Sequence, residues 1–105
     1  MQPKRAKSII QSDKQCLLCA IFSGISNQQN LEVHHAIHGT ANRALSDRLG
    51  LWCWLCAEHH RTGKDAVHRD AEVDRGVKRI AQAHYELELG TREDFIRTFG
   101  KSYLL

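Results

Sequence analysis

The sequence predicts a small α+β fold held by bound metal, in which two short strands lead into a long helix and then a shorter one. Three observations carry that expectation. Four cysteines and seven histidines fall mostly into tight clusters: Cys16-Leu17-Leu18-Cys19, Val33-His34-His35 and Leu55-Cys56-Ala57-Glu58-His59-His60. Apolar residues alternate over 31–37 and crowd over 51–55, as strands require. Beyond residue 65 they recur at helical spacing.

Residues 1–15 form a polar, basic lead-in (Lys4, Arg5, Lys7, Lys14), with Ser8-Ile9-Ile10 its one apolar spot. Residues 16–105 then make a single domain. Cys16 to Cys19 predicts a knuckle, and Ser23-Gly24 and the polar run from Ser26 to Asn30 predict turns. Over 31–37, Leu31, Val33, His35 and Ile37 share one face of a strand, against Glu32, His34 and Ala36 on the other. Residues 39–50 read as a polar connector carrying Asn42, Arg43, Ser46, Asp47 and Arg48. Leu51-Trp52-Cys53-Trp54-Leu55, bounded by Gly50, reads as the second strand.

The long helix is expected over 65–89, with Asp65 as its N-cap and Gly90 as its stop. Val73, Val77, Ile80, His84 and Leu87 would form its buried stripe. Thr91-Arg92-Glu93-Asp94 opens a last helix with an acid three residues after the cap, close to a capping box. Phe95, Ile96 and Phe99 would pack that helix down, and Tyr103-Leu104-Leu105 would tuck against the body.

A chain of 105 residues is one domain near the lower limit of what a core stabilises unaided, so a metal staple suits it. No apolar segment approaches membrane-spanning length, and no secretory h-region precedes the cysteines. The thiols are therefore expected in a reducing cell interior, where a C-x-x-C pair binds metal more often than it forms a disulfide. A net charge of +3 is compatible with a nucleic-acid partner and does not by itself require one.

A closed zinc site takes four N or S ligands, usually as two close pairs from separate segments. Cys16 and Cys19 supply one pair; Cys56 and His59 supply the other. An all-cysteine set with Cys53 in place of His59 is the runner-up. Cys53 sits mid-strand among tryptophans and leucines, and an extended strand would point it away from Cys56. His34, His35 and His60 are left over, which suggests a second metal concerned with chemistry.

The His34-His35 pair at a strand end, a polar loop, a second strand and His60 at the entrance to helical structure together resemble the HNH (His-Me finger) nucleases. Ala41-Asn42-Arg43, Ala66-Val67-His68 and Phe99-Gly100-Lys101-Ser102-Tyr103-Leu104 look similar to segments of small phage-encoded members. The resemblance runs from Cys16 to about Arg79. It implies a ββα-metal core and a DNA endonuclease of phage or mobile-element origin, working in the cytoplasm of a bacterial host.

The resemblance further implies that His34 ligates a catalytic divalent metal, that His35 is the general base and that His60 is the next metal ligand. His59 and His60 could exchange sites, and His68 could serve as a ligand or as a group on the phosphate side. The expected cofactors are a structural Zn²⁺ and one catalytic ion: Zn²⁺, Ni²⁺, Mn²⁺ or Mg²⁺. Imidazole favours the transition metals, whereas Mg²⁺ prefers oxygen. The family's bracing Asn would fall near Leu51, so Asn42 or Ser46-Asp47 would have to brace the loop instead.

Such a site hydrolyses a phosphodiester by letting a base deprotonate water while the metal neutralises charge on the phosphate. Arg43, Arg48, Arg61, Lys64 and Arg69 flank the cluster and are the expected DNA contacts. His38 and His84 are read as bystanders. A catalytically silent, zinc-stabilised module that binds nucleic acid or protein is the alternative.

Overall fold

A computed structural model describes residues 5–105, so the lead-in's Lys4 lies outside the described residues. The core of the fold is an antiparallel ribbon of β1 (Leu31–His35) and β2 (Trp52–Cys56), with His34 opposite Cys53 and His35 opposite Trp52. By the strand alternation, Glu32, His34, Cys53 and Leu55 share one face. Leu31, Val33, His35, Trp52, Trp54 and Cys56 share the other.

The ribbon is enclosed by four helices: α1 (Leu17–Ser23), α2 (Thr40–Leu49), α3 (Ala71–Glu88) and α4 (Arg92–Phe99). Leu51, Leu55, Ile37, Val77, Ala81 and Phe95 meet in one core, each 1% exposed or less. Burying a side chain of the larger sizes contributes roughly 1.5–3 kcal/mol. Phe95 anchors α4 there, edge to face with Tyr85 and tilted against Phe99. Among the described residues no helix is long and apolar enough to cross a membrane.

The small α+β fold and the capping box of α4 are as expected: Thr91 accepts from the Asp94 amide, and Asp94 accepts from the Thr91 amide. Several boundaries differ. The knuckle opens a helix, because the Cys16 sulfur accepts the Cys19 amide as an N-cap and Gly24 closes the turn at φ 65°. The connector is largely the helix α2. Buried Ser46 donates to the Ile37 carbonyl at 3.0 Å, and Gly50, at φ 75°, ends the helix. β1 stops at His35, two residues short of the expected end, where the chain turns toward α2.

The long helix starts at Asp70, whose carboxylate caps the Glu72 and Val73 amides, and not at Asp65. His68 therefore precedes the helix instead of sitting in its first turn. The buried stripe of α3 is also rotated from the expected one. Val77, Ala81, Gln82 and Tyr85 are buried, while Leu87 is 80% exposed. Gln82 earns its burial by pinning the C-terminal segment: its carbonyl accepts the Tyr103 amide and its amide donates to the Ser102 hydroxyl. Tyr103 packs on the core, but Ile96 and Leu105 are exposed.

The lead-in covers the outer edge of β2. Ala6 and Ile9 amides donate to the Asp47 and Gly50 carbonyls, the Ser8 hydroxyl donates to the Trp52 carbonyl, and the Trp54 amide donates to the Gln11 side chain. An open strand edge is thereby paired.

Candidate metal centre

Residues 58–62 form a single π-helical turn, closed by the Gly63 amide on the Glu58 carbonyl at 2.8 Å. The wide turn rotates two consecutive histidines toward different clusters. Segment 66–69 then runs back along it: the Val67 amide donates to the His59 carbonyl and the His68 amide to the His60 carbonyl. Buried Ala66 and Val67 fix that return.

His59 Nδ1 lies 3.5 Å from Cys16 Sγ, 3.4 Å from Cys19 Sγ and 3.4 Å from Cys56 Sγ, while Cys19 and Cys56 are 3.9 Å apart. Four atoms at such separations can surround one ion at bond lengths of about 2.0–2.3 Å, so this Cys3His cluster could hold a structural metal such as zinc. The Asn27 amide donates to the Cys19 sulfur at 3.6 Å, a further contact fixing the knuckle. Burial pushes the Cys19 thiol up to about 11, so a cation is what would draw off its proton. Cys53, with 0% exposure, lies on the opposite ribbon face from Cys56, and burial raises its thiol still further.

The second group is His34, His60 and His68, each offering one nitrogen within 4.8 Å of the others. His60 Nε2 and His68 Nε2 are 3.1 Å apart. His34 is 2% exposed, and its Nε2 is buried without a hydrogen-bond partner. Burial, and then the neighbouring histidines, push the His34 imidazole down to about 3, which keeps it a neutral lone-pair donor. Burial likewise lowers His68. An orphaned nitrogen facing two other imidazoles fits a shared cation, because buried polar atoms otherwise find partners.

Glu32 Oε1 accepts from His60 Nδ1 at 2.7 Å, which turns His60 Nε2 toward the other two rings, as carboxylates behind metal-binding histidines do. Hydrogen bonds from Arg61, and then from His60, hold the Glu32 carboxyl at about 2. Strand alternation could have pointed to Glu32, which is two residues before His34 on the same face.

His35 lines the same cleft, of about 280 Å³, as His34, His60 and His68. Its Nε2 meets Asp47 Oδ1 at 2.8 Å, and Arg5 Nε binds the same oxygen at 2.8 Å. Burial works against the Asp47 charge, but the bonds from Arg5 and His35 hold its carboxyl below the usual value. Asn42, expected as a brace, donates to the His38 carbonyl at 3.3 Å, and Ser46 holds Ile37 beside it. His38, read as a bystander, lines the cleft too; its Nε2 bonds Asp74, on α3.

Of the expected DNA contacts, Arg43 lines the cleft. Arg61 makes a two-pronged ion pair with Glu32, and Arg69 donates to the Thr62 carbonyl. Arg48 and Lys64 are exposed. Nothing local in the sequence marks Asp47 as the partner of His35, because the turn into α2 brings them together.

Compared with known protein families, curated proteins and solved structures, the chain has no match.

Proposed function

We propose that this chain is a metal-dependent endonuclease of the HNH type, with a ββα-metal core, that hydrolyses phosphodiester bonds in DNA. The observation that carries the reading is the convergence of His34, with its unpartnered Nε2, on His60 and His68, in a cleft that also holds His35. His34, His60 and His68 bind the catalytic metal, which supplies charge neutralisation at the phosphate. His35 is the general base. With its Nε2 proton donated to Asp47, its Nδ1 keeps a lone pair for the proton of the attacking water. Asp47 positions that imidazole, and Asn42 and Ser46 brace the turn that carries it. The Cys16, Cys19, Cys56 and His59 zinc is structural, and Arg43 meets the substrate phosphate.

The test is nicking of supercoiled plasmid by the zinc-loaded protein with added Mg²⁺, Mn²⁺, Zn²⁺ or Ni²⁺. His35→Ala should keep its fold and both metals, because it ligates neither. Its cleavage rate should fall by roughly a hundredfold or more, the contribution of a positioned base. Cleavage by His35→Ala at the wild-type rate would remove His35 from that role. If the wild type cuts nothing with any of the four metals, the silent module that binds nucleic acid or protein replaces the endonuclease.

A further inference from the structure

A second groove, of about 570 Å³, lies between β2 and the lead-in, walled by Trp52 and Trp54 and edged by Lys7, Gln11, Asp13 and Lys14. That volume is within the roughly 300–1,000 Å³ of small-ligand sites. The two rings stand edge to face, 5.4 Å between centroids. Trp52 is the fixed wall, 9% exposed, with its indole N–H donated to the Ala6 carbonyl at 2.8 Å. Trp54 is half-buried, and the exposed Lys14 ammonium rests 4.6 Å from its ring centre. Arg5 lies over Trp52 at 5.3 Å. The charge lining the groove is thus Lys7 and Lys14 against Asp13, while Arg5 beside it is paired with Asp47.

The groove is linked to the histidine cleft by one chain of contacts. Arg5 covers Trp52 and binds Asp47 Oδ1, and that oxygen holds His35. Trp52 is also the cross-strand partner of His35.

We infer that this groove takes an unpaired nucleotide of single-stranded DNA, its base stacked on Trp54 and its phosphate held by Lys7 and Lys14. The inference deepens the endonuclease reading and rests on it for the identity of the strand, which is the one being cut. Aromatic rings interleaved with cations are the chemistry by which single strands are held irrespective of sequence. A stacked base is worth more than an exposed cation–π contact, so it displaces Lys14 from the ring and leaves the ammonium for the phosphate. A base within a duplex has both faces covered and cannot stack on Trp54. The site therefore selects frayed, flapped or single-stranded DNA.

Both of the chain's tryptophans lie in this groove, so intrinsic fluorescence reports its occupancy directly. The zinc-loaded full chain is titrated with an oligothymidylate, the corresponding duplex and an abasic strand of equal length. The oligothymidylate should quench the emission and bind roughly tenfold or more tightly than the other two. Trp54→Leu should lose that margin while keeping its circular dichroism and zinc content, and Trp54→Phe should keep part of it. Lys14→Glu, on the exposed rim, should weaken both single strands and flatten their salt dependence.

Unchanged emission, equal affinity for abasic and base-bearing strands, or quenching only by an acidic peptide would each overturn the assignment. Binding requires no turnover, so the two readings fail separately. A protein that cuts no DNA but binds oligothymidylate in this way loses the endonuclease and keeps the nucleotide groove. One that cuts DNA while Trp54→Leu leaves the preference for unpaired strands intact keeps the endonuclease and loses the groove.

Discussion

Burial leaves His34 Nε2 without a hydrogen-bond partner, and an unpaired buried polar atom costs about 1–3 kcal/mol. A strand position that holds an imidazole at such a cost is maintained for what the imidazole binds. His34→Leu should therefore abolish metal binding at the three-histidine cluster. Its melting temperature without that metal should be unchanged or a few degrees higher. Calorimetry beside metal titration checks both, and a large drop in melting temperature would contradict the account. Glu32 acts one bond further out. Held at about 2, its carboxyl is an acceptor at every pH where an imidazole is neutral, and it fixes His60 by Nδ1. Glu32→Gln should weaken metal binding at the cluster roughly tenfold to a hundredfold with the fold retained, measured by competition with a chelating dye.

Among the elements, the strands, the body of α3 and the capping box of α4 were legible because each is governed by local periodicity or capping. The helices α1 and α2 were not. Ile21 and Phe22 on α1 are 52% exposed, so its apolar residues do not mark a single buried face. α2 is polar over most of its length and is fixed by Ser46 bonding to Ile37 across the turn. The Cys3His cluster was readable from spacing and the three-histidine group only through the family resemblance, yet the π-helical turn that sorts His59 from His60 was not readable, because its width comes from the return of residues 66–69. The Trp52–Trp54 groove needs lead-in residues some forty positions away in sequence, beyond the reach of any local pattern.

Gly50 is where α2, β2 and the lead-in meet. It adopts φ 75°, and a Cβ there would come within 2.2 Å of the Lys7 carbonyl oxygen. Gly50→Ala should cost at least about 2 kcal/mol, since left-handed strain alone costs roughly 1–2 kcal/mol and the backbone clash adds to it. Urea denaturation measures the loss. A variant as stable as wild type would show that the lead-in does not pack there.

For the whole molecule, the Cys3His cluster joins α1 to the end of β2 and to the π-helical turn, segments some forty positions apart in sequence. A radius of gyration of 13.2 Å is that of one compact domain of this length, about 13 Å, with little core to spare. A domain of this size has about 5–15 kcal/mol of stability, and a structural zinc at this cluster would supply a large share of it. Cys19→Ala should therefore leave the chain unfolded or aggregating, as should a strong chelator, with zinc restoring the chelated protein. Circular dichroism with elemental analysis is the check, and a well-folded, metal-free Cys19→Ala protein would remove the cluster from that role.

His59 and His60 are neighbours in the chain, yet one turns to the thiols and the other to the imidazoles. A single peptide unit is thus the hinge pin between the two clusters, and a displacement at one is carried to the other. The turn that carries both histidines is set by the return of residues 66–69, and Glu32 aims His60 from behind. An ion that drew His59 toward the three thiols would thus also pull on the backbone that presents His60 to His34 and His68.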